Sequence, residues 1–287
     1  MANAQPVVLT IAGFDPCSGA GVTADIKTIA AHGCYAISCI TALTVQSTTG
    51  VVEVQPVSAK LIADTLRELA CDFEIASIRI GMLGSADVVE VVAAFLRSSN
   101  ARNVVLDPIF KSSSGSPLLE PSGIEKLRDL LLPLALVITP NVDEATMLTG
   151  LPVKTVAQMK LAAEKLHEYG AARVVVTGGD INGGQVDKAI DLLSIMNGSG
   201  HAEQTQFASD RLRTNSTHGT GCAFASALAS NLALGKQLPD AVVLAKAYVK
   251  KAMASARPLG KGNGPLNHLY RLEETPRPMH EVVGKEH

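Results

Sequence analysis

Thr217-His218-Gly219-Thr220-Gly221-Cys222 is followed at once by the small-residue run AFASALASNLAL. Glycines at 219 and 221 let the backbone turn tightly. A helix that starts here points unpaired N–H groups and the positive end of its dipole at one spot. Such a spot holds an anion. Phosphoryl transfer is mostly positioning and charge stabilisation, so a nest made by Gly219, Thr220, Gly221 and Cys222 suits a transferring phosphoryl group. The same dipole should lower the pKa of Cys222, leaving a thiolate able to accept the proton of an attacking hydroxyl. His218 precedes the first glycine and need not point the same way, so it ranks below Cys222 as a base. Taken alone, Gly-x-Gly ahead of a helix is also what any tight turn looks like.

A second glycine-rich stretch strengthens the first. The run Val7 to Ala12 leads into Gly13-Phe14-Asp15-Pro16-Cys17-Ser18-Gly19-Ala20-Gly21, ahead of a helix that bears Asp25. In a parallel sheet this loop lies at the carboxyl edge, where α/β proteins place ligands. It is no Walker A motif, because Lys-Ser/Thr does not follow the last glycine, and its spacing does not fit G-x-G-x-x-G.

The elements that must position these loops alternate. Val7 to Ala12, Tyr35 to Thr41, Ser77 to Ile80, Asn103 to Asp107, Leu136 to Thr139 and Arg173 to Thr177 read as buried parallel strands. Between them run amphipathic helices. Ser58 to Leu69 lines Leu61, Ile62, Thr65, Leu66 and Leu69 on one face, and Thr155 to Leu166 opens with a Thr155/Gln158 capping box. Strand, helix, strand repeated is the βαβ signature of an α/β fold. AIDLLSIM and AEQTQFAS, joined by Asn197-Gly198-Ser199-Gly200, predict a hairpin at a sheet edge. Helices over about 219–234 and 239–256 follow, and no linker, repeat or composition break divides the chain. A single domain is expected over 1–287, with its core at about 7–270 and a frayed polar tail over 273–287.

Composition narrows the function classes. Hydrophobic residues make up 47% of 287, enough for a sizeable core, while only 3% are aromatic and Trp is absent, the palette of close helix-on-sheet packing. A net charge of −2 without charge runs leaves no footprint for nucleic acid or an anionic membrane. No leader is expected at Met1 to Phe14, and the longest apolar segment, Leu130 to Ile138, is too short to span a bilayer. The expected location is cytoplasmic. Cys17, Cys34, Cys39, Cys71 and Cys222 form no C-x-x-C pair, so neither a disulfide framework nor a zinc site is indicated.

In this order, GFDPCSGAGVTADIKT, ITALTVQSTTGV, IRIGML, VVLDPIF with SSSGSPLL, ITPNVDEA, VVVTGGD, TNSTHGTGC and PLGKGNGPLNH resemble the hydroxymethylpyrimidine/phosphomethylpyrimidine kinases of the ribokinase-like superfamily. The likeness runs from about Val7 to Tyr270. It implies a three-layer αβα sandwich with a central, mainly parallel sheet. It also implies ATP-dependent phosphorylation of a thiamine-precursor pyrimidine with Mg²⁺, in an expected homodimer. The pyrimidine pocket would use Gly13, Asp25, Gln46 and Met82. Gln46 offers a donor and an acceptor to an aminopyrimidine edge, and Met82 could pack on the ring. Asp107, Asn141, Glu144 and Thr177 would meet the nucleotide, with Asp107 and Glu144 near the metal, while Cys222 would be the base within the anion hole.

The sequence departs from that pattern in places. Thr177 stands where many members have Lys, and Lys111 is displaced by two residues from a Lys common in the loop after Asp107, so its role stays open. Asn263 replaces a frequent His and reads as a loop residue, and Lys246 reads as a solvated helical lysine more readily than as a phosphate contact. A pyridoxal kinase on the same scaffold and a non-catalytic precursor-binding module are the rival readings. Gln46 favours the aminopyrimidine over the first; Asp107, Glu144 and Cys222 together favour turnover over the second.

Overall fold

The β-branched runs and the two hairpin strands, with one segment that was not expected, become β1 (Val7–Phe14), β2 (Tyr35–Ser47), β3 (Gly50–Pro56), β4 (Ile75–Ile80), β5 (Val104–Leu106), β6 (Val137–Ile138), β7 (Arg173–Val176), β8 (Lys188–Met196) and β9 (Ala202–Asp210) in the computed structural model. The helices are α1 (Gly21–Ala31), α2 (Ala59–Asp72), α3 (Ala86–Ser98), α4 (Pro121–Lys126), α5 (Val142–Thr149), α6 (Val156–Glu168), α7 (Thr220–Ala233), α8 (Leu238–Ala254) and α9 (Tyr270–Glu274). The structure describes residues 5–274 apart from 100, 113, 180, 182–186, 199 and 213. The tail expected beyond Glu274 and the Ser199 position of the hairpin turn lie outside the described residues.

All nine strands join one sheet in the order β3-β2-β1-β4-β5-β6-β7-β8-β9. Pairing is parallel from β2 through β7 and antiparallel at both ends, where β3 folds back on β2 and β8–β9 forms the expected edge hairpin. β3 was not anticipated. Its stretch is half-exposed and polar at alternate positions, which gives none of the apolar signal of a central strand.

Side-chain alternation builds two cores. Leu9 and Ile11, Ile78 and Ile80, Val104 and Leu106 face one side, where α2, α3, α5 and α6 cover them. Val8, Val105, Val137 and Val175 face the other, against α1, α7 and α8. The result is the expected αβα sandwich. In α2 the packed pair is Ile62 and Leu66, whose full burial contributes ~1.5–3 kcal/mol each. Leu61, expected on the same face, is 58% exposed, because one residue back from Ile62 turns it about 100° toward solvent. Thr155 caps α6 by accepting from Gln158 N, but Gln158 Oε1 accepts from Lys154 N rather than closing the box on Thr155.

β1 is the switch point. The chain leaves it first toward β2 and β3, then crosses over to β4 and continues outward to β9. The crevice at the carboxyl end of β1 is therefore bounded by loops running in opposite directions, the usual place for a ligand in an open α/β sheet.

Candidate active site

The loop after β1 is wrapped around one carboxylate. Asp15 Oδ1 accepts from Cys17 N at 2.8 Å, and Oδ2 accepts from Gly19 N at 3.2 Å and Ala20 N at 2.9 Å. The same oxygen bonds His218 Nε2 at 2.8 Å. Burial works to raise the Asp15 pKa, but the hydrogen bonds from His218 and the loop amides together hold it below the ordinary value. Asp15 thereby ties the β1 loop to the segment that leads into α7.

Two helices then begin face to face. α1 starts at Gly21 and α7 at Thr220, and neither has a side-chain cap on its first amides. Gly219 adopts φ 84°, and a Cβ there would collide with the Gly19 carbonyl oxygen. Only glycine lets the two loops meet. Thr220 N donates to the Thr217 carbonyl at 3.4 Å, and the following amides of Gly221 and Cys222 start α7 without a side-chain cap at the carboxyl edge of the sheet. Gly221 abuts Asp107: a Cβ on it would stand 4.0 Å from Asp107 Oδ1.

Cys222 departs from expectation. It is 7% exposed, and burial pushes its thiol up to about 12, with Asp107 and Asp25 adding to the rise and Arg79 opposing it. Desolvation and two nearby carboxylates outweigh the helix terminus that was expected to lower it. The surroundings of Cys222 favour its neutral thiol.

Arg79, which sequence reasoning passed over, explains much of this centre. It points from β4 to the α1/α7 side of the sheet and is wholly buried. Its Nη1 donates to Asp25 Oδ2 at 3.0 Å and its Nη2 to Asp107 Oδ2 at 2.7 Å. Asp25 also accepts from Thr10 at 2.6 Å and from Ser226 at 2.7 Å. The expectation that Asp25 lines a pyrimidine pocket is therefore corrected: at 0% exposure, with both oxygens taken by side chains, it is a strut between α1, β1, β4 and α7. An arginine inside the apolar run of IASIRI was the available signal.

Beside this centre opens a cavity of about 350 Å³ whose lining includes Gln46, Thr48, Ser112, Ser114, His218 and Asn263. Gln46 Oε1 accepts from Thr44 Oγ1 at 3.2 Å, and its Nε2 is 3.4 Å from His218 Nε2. Asn263, read as a loop residue, lines this space, and His218 helps to wall it. Gly13 and Met82 touch one another but do not line this cavity: a Cβ on Gly13 would stand 2.8 Å from Met82 Sδ. Met82 packs with Ala42 and Leu118 as a small satellite core. Lys111 is exposed and bridges Pro117; the neighbouring Ser113 lies outside the described residues.

On the far side of Asp107, Asn141 caps α5. Its Oδ1 accepts from Asp143 N and Glu144 N, while Glu144 Oε2 accepts from Asn141 N at 2.8 Å, a complete capping box. A parallel bridge sets Thr177 beside Asn141. Thr177 leads into Gly178, whose N donates to Asp191 Oδ1 at 3.0 Å, and Gly179, whose carbonyl accepts from Arg211. Lys246 is not a solvated lysine: its Nζ pairs with Asp191 Oδ2 at 2.6 Å and donates to the carbonyls of Ala189 and Phe207. That leaves it no role as a phosphate contact and makes it a brace for the Gly178 loop.

Asp107 and Glu144 face one another through buried space. Burial, opposed by Arg79 and reinforced by Asp25, lifts Asp107 to about 6. Burial first, and Asp107 next, hold Glu144 well above the usual carboxylate range. Among the described residues no three His, Cys, Asp or Glu side chains converge to cage an ion. Two buried hard-oxygen acids, both held above the ordinary carboxylate value, are nonetheless what Mg²⁺ needs when it keeps most of its waters, so the pair fits that ion.

A family model described as Phosphomethylpyrimidine kinase matches residues 15–267. The hydroxymethylpyrimidine/phosphomethylpyrimidine kinase of Haemophilus influenzae is 40% identical over 268 residues, covering 93% of this chain and 98% of its own. The chain spans about half the length of the bifunctional thiamine-biosynthesis relatives it also matches, 53% and 52% in two of them. Among solved structures, an ADP complex of Bacillus subtilis pyridoxal kinase superposes with a TM-score of 0.83 at 32% identity, covering 94% of this chain and all of that one. A phosphomethylpyrimidine kinase from Clostridium difficile gives 0.75 at 35% identity, covering 86% and 99%.

Proposed function

Because the chain belongs to the phosphomethylpyrimidine kinase family, we propose that it transfers the γ-phosphoryl group of ATP to 4-amino-5-hydroxymethyl-2-methylpyrimidine, and then to the resulting monophosphate, on the way to thiamine. The observation that carries this reading is the pair of helix starts at Gly21 and Thr220, which lack side-chain caps and come together where Gly219 meets Gly19, with Gly221 beside Asp107 and His218 on the wall of the Gln46 cavity. An equatorial phosphoryl oxygen at that point would be stabilised without any reorganisation of the chain.

In this reading Gly219, Thr220 and Gly221 hold the transferring group. Gln46 reads the pyrimidine edge, and Gly13 and Met82 would meet the ring. Asn141 and Thr177, adjacent at their bridge, meet the nucleotide. Asp107 and Glu144 would hold Mg²⁺, which neutralises phosphate charge. Cys222 takes the hydroxyl proton, which requires its thiolate. Burial and two carboxylates oppose that form, so neutralisation of Asp107 is the condition for it. Five free cysteines suit a reducing, cytoplasmic location. Exposed Leu43, Val45 and Val52 on the β2–β3 edge support the homodimer, which sedimentation would test.

Pyridoxal is the second substrate to weigh, because the fold superposes well on a pyridoxal kinase. Incubating the protein with Mg·ATP and hydroxymethylpyrimidine, its monophosphate or pyridoxal, and measuring each phosphorylated product, separates the readings. Product from pyridoxal alone would replace the pyrimidine assignment, and product from none would leave a binding module.

A further inference from the structure

An arginine that never meets solvent is costly to bury, and this chain buries one between the reacting groups. Arg79 has 0% exposure, and its Nε finds no acceptor among the described residues, so the fold bears that desolvation to place the two Nη groups. Those two nitrogens join Asp25 to Asp107 across the start of α7. Asp25 in turn grips Ser226, one helical turn after Cys222. The first turn of α7 is thus pinned at Ser226 while the acid beside its tip is pinned at Asp107, and both pins end on one guanidinium.

The neighbouring glycine shows that the slot is shaped for this group. Gly81 follows two residues after Arg79 and so faces the same side of the sheet. A Cβ at Gly81 would collide with Nη1 and crowd Cζ at 2.7 Å and Nη2 at 3.0 Å. With φ outside the left-handed region, Gly81 is required by the space the guanidinium fills and not by its own backbone.

We propose that Arg79 is a positioning residue for phosphoryl transfer, holding the Asp107 carboxylate and the first turn of α7, with Cys222, in one buried unit. A planar fork with fixed donors suits that task better than an ammonium, because it engages two carboxylates in defined directions at once. Its charge also opposes the rise in the Cys222 pKa that burial causes. The inference rests on the kinase reading of the site.

The test compares wild type with Arg79→Lys, Arg79→Met and Gly81→Ala, measuring kcat, both KM values and thermal unfolding, with rates scaled to the folded fraction. Arg79→Met should lose roughly 100-fold in kcat, as when a preorganised donor is removed. Arg79→Lys should recover part of that loss through its charge. Gly81→Ala keeps every charged group and displaces the guanidinium, so it should lose about tenfold or more. Both KM values should stay within about threefold, since uniform binding is untouched. Should Arg79→Met fail to fold, the other two variants decide. Folded variants with wild-type kcat, or losses confined to KM, overturn the inference alone. A wild-type chain without turnover overturns the kinase reading and this inference with it.

Discussion

Replacing Asp25 with alanine separates a strut from a ligand contact. The carboxylate accepts from Thr10 at 2.6 Å, Ser226 at 2.7 Å and Arg79 at 3.0 Å, all within a fully buried space. Three buried donors lose their acceptor, at ~1–3 kcal/mol each where nothing replaces it. The two hydroxyls can rotate, and Ser226 can turn back to a carbonyl of its own helix, which moves the sum toward its lower end. Arg79 keeps Asp107 and is not left uncompensated. The net loss should therefore be about 3–5 kcal/mol, the range for breaking a buried ion pair from one side. In a chain of this size that lowers Tm by roughly 6–15 °C. Scanning calorimetry reads the stability, and titration calorimetry with the pyrimidine at a temperature where the variant is folded reads the site. The expected Kd stays within about threefold, because Asp25 does not line the cavity. A Tm within about 2 °C of wild type together with a tenfold weaker Kd would refute the placement and return Asp25 to the substrate pocket.

Four further outcomes are expected. Cys222→Ala should lower kcat by roughly 100-fold and leave pyrimidine affinity nearly intact; wild-type turnover would remove the cysteine from proton transfer. Gln46→Leu should shift the ratio of kcat/KM for pyrimidine over pyridoxal toward pyridoxal by about tenfold, and an unchanged ratio would show that Gln46 does not read the ring. Asp107, raised to about 6, contributes stability that is present in full below its unfolded value near 3.8 and is lost as pH rises through 6. In a chelator the Tm of wild type relative to Asp107→Asn should therefore be higher at about pH 5 than at about pH 7.5; the comparison removes the opposite contribution of His268, which burial holds down to about 4 and which costs stability as pH falls through its unfolded value near 6.5. Asp15, held low, loses its contribution only below its ordinary 3.8, so it does not cancel the trend. Mg²⁺ at the higher pH should raise Tm in wild type more than in Glu144→Gln; equal shifts would make both acids structural.

The parts of the fold that repeat in the sequence could be read from it. Short β-branched runs marked the central strands, and the glycines at 219 and 221 marked the tight turn into α7 because turn chemistry is local. Asn141 and Glu144 formed the capping box that their spacing permits. The long-range pairings were out of reach. Nothing near Asp25 in the chain indicates that its partners lie at positions 79 and 226, and an acid in a helix reads as solvated until the neighbours are placed. Cys222 failed for the same reason in reverse. The helix start was visible, but the carboxylates that oppose it, Asp25 and Asp107, approach from other elements. The Asp15–His218 bond spans 203 residues, so the role of His218 in holding the β1 loop could not be seen beside Cys222.

The packing of α7 bears on how the chain emerges from the ribosome. α7 lies against α1, β1, β4, β5 and α8, and the core on its side of the sheet is completed by residues of α7 and α8. Val8, Ile29, Val105, Val137 and Val175 are all synthesised before any of that cover exists. Roughly 200 residues separate the start of α1, which covers part of this face, from that of α7, so at ~5–20 residues/s the cover from α7 and α8 is missing for up to about 10–40 s. The opposite face gains α2, α3, α5 and α6 in step with the strands they cover. The nascent protein is therefore two-sided in time, one half closing as it is made and the other waiting on the last third of the message. The half that waits is the one that α7 and its glycine-led start complete, so translation slowed before codon 220 lengthens the interval in which chaperones must shield it.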